Sequence, residues 1–158
     1  MGGQRQGNDI RVVFHINTRS TQDKRRWDKW PELALWLSKE YKVKVIDFTG
    51  TRGDFQYIRS VQDTIPDSIP TRNLAGLTTL WQLRYHLEGC DLFVSVNTFA
   101  MHLGVCLGIP MVAIVGATHP SVILPMTVHS VYSEYAKDIP LTDVTVAIGE
   151  TSRKEWKE

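Results

Sequence analysis

The chain has 158 residues, enough for one domain with a hydrophobic core of its own. Hydrophobic residues at 42% and charged residues at 22% exclude a disordered chain. A net charge of +1 excludes a general electrostatic pull toward nucleic acid or an anionic membrane.

The first ten residues, MGGQRQGNDI, are polar and Gly-rich with no signal-peptide core, and read as a flexible lead-in or linker remnant. Residues 11–16 (RVVFHI) form a β-branched strand candidate. Trp30, Leu33, Ala34 and Leu37 then recur at helical spacing, which predicts an amphipathic helix over residues 28–39. Residues 43–48 (VKVIDF) read as a second strand, closed by Gly50 and Gly53, with a weaker helix over 54–62. Pro66 and Pro70 argue against regular structure just beyond it. Thr78 or Thr79 caps a helix that carries Leu80, Leu83 and Leu87 on one face and stops near Gly89. A strand over 91–95 follows. Thr98 then caps a helix that turns Met101, Val105 and Cys106 inward and ends at Gly108. Residues 111–115 (MVAIV) form another apolar strand, 128–132 a last short one, 139–148 a terminal helix, and 151–158 a charged tail. Cys90 and Cys106 sit in or beside apolar runs and read as buried thiols. Strands apolar on both faces, separated by helices, predict a single Rossmann-like α/β domain over 11–150, an open, doubly wound parallel sheet. No apolar run approaches the roughly 20 residues of a membrane helix, so the expectation is a soluble, cytoplasmic protein.

Such sheets bind ligands where strands enter helices at their carboxyl ends. The loop after residue 95 places Asn97 and Thr98 at a helix N-terminus, where unpaired N–H groups and the macrodipole suit a diphosphate. His102 shares that helix face one turn deeper. The loop after residue 16 gathers amides, hydroxyls and cations, among them Thr18 and Lys24. Asp54, after the second strand, has the position of an acid that accepts hydrogen bonds from a ribose. Glycine-rich dinucleotide, P-loop, zinc and serine-nucleophile motifs are all missing.

Residues 73–120 (NLAGLTTLWQLRYHLEGCDLFVSVNTFAMHLGVCLGIPMVAIVGATHP) resemble the signature region of glycosyltransferase family 9, which contains the lipopolysaccharide heptosyltransferases. Asn73, Leu74, Gly76, Thr78 and Leu80 fall in register with its first block, Cys90 and Asp91 with its second. Thr98, His102 and Leu103 match the third, and Gly108, Pro110, Gly116, Thr118 and Pro120 the last. The resemblance implies a GT-B architecture of two Rossmann-like domains, this chain being similar to the C-terminal, donor-binding one. It implies that Thr18, Lys24 and Thr98 hold the diphosphate of an ADP-heptose-like nucleotide sugar, with His102 beneath it. Asp54 would take the ribose, and the main chain at Leu74 and Gly76 would edge the base. Neither cofactor nor metal is implied, and the catalytic base is expected in an acceptor-binding domain outside this chain.

The chain departs from the pattern at three places. Asn97 stands for an aspartate, Phe99 for a glycine that lets backbone approach phosphate, and Ala117 with His119 alters the last block. Three functions follow as expectations: a donor domain for glycosyl transfer, a nucleotide-binding module without turnover, or a structural protein that kept the fold. A partner chain or homo-oligomer is expected to cover the crevice side, with no nucleic-acid partner.

Overall fold

Strands rich in β-branched and aromatic residues, without polar alternation, are stable when helices cover both faces. The chain folds to that arrangement. In a computed structural model that describes residues 9–17 and 23–151, six strands form one sheet in the order β3-β2-β1-β4-β5-β6. They are β1 (Asp9–His15), β2 (Lys42–Phe48), β3 (Thr71–Asn73), β4 (Leu92–Val96), β5 (Met111–Val115) and β6 (His129–Tyr132). Every neighbouring pair is parallel. The helices among the described residues are α1 (Trp30–Glu40), α2 (Phe55–Gln62), α3 (Leu80–Glu88), α4 (Phe99–Leu107), α5 (Pro120–Ile123) and α6 (Leu141–Thr151). This is the doubly wound, Rossmann-like sheet that the sequence predicts.

Alternate residues of each strand feed two cores. Val12, Phe14, Ile46, Phe48, Val94 and Ile114 pack against α1, α2 and α6. Val13, Phe93, Met111, Ala113 and Val115 pack against α3 and α4. The inward stripe of α1 is Trp30, Leu33, Ala34 and Leu37, as its spacing requires, although the helix starts at Trp30. Pro31 stands in the first turn, where a missing N–H costs nothing. The Trp30 ring lies 4.9 Å from that of Phe14 and 5.0 Å from that of Trp27. The Trp27 indole N–H donates to the Ile139 carbonyl at 3.0 Å, tying the start of α1 to the approach of α6.

Several expectations need correction. β1 begins at Asp9, and Ile10 is fully buried. A short strand, β3, starts directly after Pro70, because a proline without an N–H still accepts: Ile46 N–H donates to the Pro70 carbonyl at 2.9 Å. The second helix is preceded by a separate 3-10 turn, Arg52–Asp54. On α3 only Leu87 is buried while Leu80 is 59% exposed, so the leucines do not share one inward stripe. On α4 Gly104 takes the inward place expected for Cys106, which is exposed; Cys90 alone is a buried thiol. Gly104 is needed there, since an added Cβ would meet the Phe93 ring at 2.8 Å. The tail beyond Thr151 lies outside the described residues. Among those described, no helix is long and apolar enough to cross a membrane.

One ionic contact fastens the edge of the sheet. Asp47 on β2 is buried and accepts two hydrogen bonds from the Arg72 guanidinium on β3, at 2.6 and 2.8 Å. That bond holds Arg72 above its ordinary pKa. Removing the guanidinium leaves a buried carboxylate without its main partner. Because Arg72 is half-exposed, water recovers part of the loss. Arg72→Ala is expected to cost about 2 kcal/mol in urea unfolding, and a change under about 0.5 kcal/mol would assign the pair no stabilising role.

Candidate functional site

The sheet order reverses between β1 and β4: the chain winds outward from β1 through β2 to β3, then returns to the other side of β1. In open parallel sheets a crevice opens at such a point, beyond the carboxyl ends of the strands. His15 pairs with Ser95, so the loops after β1 and β4 leave the sheet side by side. The structure thus brings together the two loops that the sequence singles out. Thr18 lies outside the described residues.

Thr98 is the N-cap of α4, in extended conformation, yet its side chain makes no capping hydrogen bond. Its Oγ1 is buried with no partner among the described residues. Asn97, 9% exposed, likewise has no side-chain hydrogen-bond partner among them. A helix start without a side-chain cap and with a buried, unpartnered hydroxyl among the described residues is incomplete by itself. The Phe99 ring is 65% exposed, so it is not packed into the protein among the described residues. His102 is exposed on the outer face of α4.

Lys24 stands in a 3-10 turn, Asp23–Arg25, with its backbone wedged against the exit of β5. Its ammonium lies 3.9 Å from the Glu134 carboxylate and 5.2 Å from the centre of the Tyr135 ring. Both are surface contacts of small energetic worth. Arg25 Nε is buried without a partner among the described residues. Beside this turn, Ala117 adopts φ 73°, and Thr118 N–H closes a three-residue turn onto the Gly116 carbonyl at 2.8 Å. A non-glycine residue in that region is strained, and it sits at the same edge of the sheet.

Asp54 is already engaged. Its Oδ1 accepts from Asn17 Nδ2 at 2.7 Å, and its Oδ2 from the Thr51 N–H at 2.8 Å and the Thr51 hydroxyl at 3.2 Å. Asn17 in turn accepts from Arg26 Nη2 at 2.9 Å. Below them His15 is partly buried, its Nδ1 2.9 Å from the Thr49 hydroxyl. Desolvation lowers its pKa to about 4, against a smaller upward pull from Asp54. Leu74 and Gly76 close the far side: Leu74 N–H donates to the Phe48 carbonyl at 2.8 Å and Gly76 N–H to that of Gly50 at 2.9 Å. Gly76 has φ 73°, and an added Cβ would lie 2.8 Å from the Arg52 backbone, which is why only glycine fits. Sequence reasoning missed Thr49 and gave His15 and Arg26 no individual role, although Arg26 belongs to the cation-bearing loop it named. Two grooves lie elsewhere: one between α1 and α2 along Trp30, Leu35 and Tyr57, the other at the opposite end of the sheet by Pro110 and His129. Neither contains the loops just described.

The sequence profile of glycosyltransferase family 9 (heptosyltransferase) matches residues 4–138. Among solved structures, E. coli ADP-heptose LPS heptosyltransferase II is similar at TM-score 0.75 and 21% identity, over 90% of this chain and 47% of that one. A glycosyl transferase family 9 protein of Veillonella parvula is similar at TM-score 0.66 and 20% identity, over 98% and 43%. E. coli heptosyltransferase WaaC with ADP is similar at TM-score 0.75 and 18% identity, over 94% and 46%. The chain spans a little under half the length of these solved relatives. No curated protein sequence matches it.

Proposed function

The chain belongs to glycosyltransferase family 9, and from that premise we propose that it binds a nucleotide-diphosphate sugar, ADP-heptose or a close analogue, as the donor half of a glycosyl-transfer enzyme. The observation that carries this reading is the start of α4, where Thr98 Oγ1 is buried with no partner among the described residues, next to a buried Asn97 and an N-terminus without a side-chain cap, at the switch point of the sheet. That chemistry suits a diphosphate, with Lys24 adding a mobile positive charge. WaaC, similar in fold, has been solved with ADP and with ADP-2-deoxy-2-fluoro heptose.

In transfer, negative charge grows on the leaving diphosphate as the bond to the sugar breaks. Lys24, the Thr98 hydroxyl and the N-terminus of α4 would meet that charge in place, which lowers the barrier. These groups need no metal to do so. The acceptor and the base that activates its hydroxyl belong to a second domain or partner chain. Leu77, Leu80, Trp81 and Phe99, all exposed near the first turns of α3 and α4, offer apolar surface for that domain, a partner or a second copy. On this reading the protein would work in the cytoplasm, where a donor of this class is held.

Calorimetric titration with ADP, UDP, GDP and ADP-heptose tests the reading. ADP and ADP-heptose are expected to bind, and Lys24→Ala to weaken both about tenfold, the worth of one charge-assisted contact. Phe99→Gly should change affinity less than about threefold, because the ring stands in solvent. Silence toward all four ligands would remove the donor site. Binding that persists without transfer, once acceptor and partner domain are supplied, would leave a binding module.

A further inference from the structure

Asp54, Asn17 and Arg26 form a chain of hydrogen bonds whose geometry is more specific than a ribose contact needs. An ionised carboxylate offers about four acceptor positions. The Asp54 side chain uses three of them within the protein, one from Asn17 and two from Thr51. Gly50 also leans over Oδ2, so closely that a Cβ there would lie 2.6 Å from it. One acceptor position remains, whereas a ribose diol presents two hydroxyls.

Asn17 has both ends of its amide committed in opposite directions. Nδ2 donates to Asp54, and Oδ1 accepts from Arg26 Nη2. The Arg26 guanidinium is itself fixed, lying 4.5 Å over the Tyr57 ring on α2. Asn17 follows β1 and Arg26 precedes α1, nine positions apart, so their bond draws together the two ends of the stretch that carries Lys24. A second restraint on that stretch, among the described residues, is the Lys24 carbonyl, packed against Gly116. Lys24 is therefore held from two sides, by the β5 exit and by a link to the β2 loop.

We propose that Asn17, Arg26 and Asp54 are a positioning clamp for the turn that carries Lys24, Asp23–Arg25, in which Asp54 acts through Asn17 instead of accepting ribose hydroxyls. This rests on the donor-site reading above and changes what Asp54 does within it. The amide between the two charges matters. It lets the Arg26 cation and the Asp54 anion be oriented by one neutral bridge while neither is spent on the other.

Titrations with ADP, 2′,3′-dideoxy-ADP and inorganic pyrophosphate separate positioning from contact. In Asn17→Ala and Asp54→Asn all three ligands are expected to weaken by the same factor, about tenfold. Arg26→Lys keeps the charge, loses the planar fork, and should weaken all three by about fivefold. If Asp54→Asn weakens ADP alone and leaves the other two within about twofold of wild type, Asp54 touches the ribose and the clamp is overturned. Variants that bind all three ligands as wild type does also overturn it. Should wild type bind none of the three, the donor-site reading fails on its own. Amide exchange at Thr51, whose N–H ends on Asp54, then decides the clamp: at least about tenfold faster in Asn17→Ala supports it, and an unchanged rate sinks it.

Discussion

Between pH 6.5 and pH 4 the protein is expected to lose about 2 kcal/mol of stability through His15 alone. The imidazole closes β1 on the face covered by α3 and α4, with Thr49 at its Nδ1 and Asp54 near enough to pull its pKa upward. Burial outweighs that pull and lowers the pKa from 6.5 to about 4. In the unfolded chain His15 takes up its proton as pH falls through 6.5, while the folded protein refuses it until about pH 4. Each unit in that window favours the unfolded state by about 1.4 kcal/mol. The full window would give a little over 3 kcal/mol, and the expected value is lower because part of the ring reaches water. Below about pH 4 both states are protonated and the loss levels off. Urea unfolding of wild type and His15→Gln at the two ends of the window isolates this group. The stability gap between them should shrink by about 2 kcal/mol on acidification. A gap that stays constant means the folded protein accepts the proton without penalty.

Gly116→Ala is expected to be the most damaging single methyl in the molecule. The added Cβ would fall 1.8 Å from the Lys24 carbonyl oxygen and 2.9 Å from the Ala136 amide nitrogen. Both neighbours are backbone, so no side-chain rotamer relieves the overlap. Either β5 or the Lys24 turn has to move, and forced shifts of this kind cost about 3 kcal/mol. The functional loss should exceed what stability alone explains, since the turn that moves is the one that carries Lys24. Gly149→Ala, on α6 with open space around its Cβ position, is the control and should be neutral or stabilise by up to about 1 kcal/mol. Equal melting temperatures and equal ADP affinities for the two variants would show that the Lys24 turn is not braced by Gly116.

The helical and central-strand layout was legible in the sequence because α1 carries one helical repeat and β5 is an unbroken apolar run. Trp30, Leu33, Ala34 and Leu37 face inward as their spacing demands. β3 was invisible for a different reason: it has three residues, none strongly apolar, and exists through pairing with β2. The outward turn of Leu80 and Cys106 was equally hidden, since a helix at the rim of a domain buries only a narrow stripe. At the site, Thr98 was legible because strand, cap and helix follow one another in the chain. The Arg26–Asn17–Asp54 link was not, because its last contact spans 37 positions and depends on how two loops meet. Family likeness named Asp54 without revealing what already surrounds it.

The outermost strands, β3 and β6, have three and four residues. Lateral growth of a sheet requires a run of free backbone long enough to recruit a stranger's chain. These borders offer barely one turn of the pleat apiece, and β3 carries a cation, Arg72, in its middle. Cross-strand stacking of one molecule on another thus has little to grip, and any self-association is left to side chains on the helical flanks.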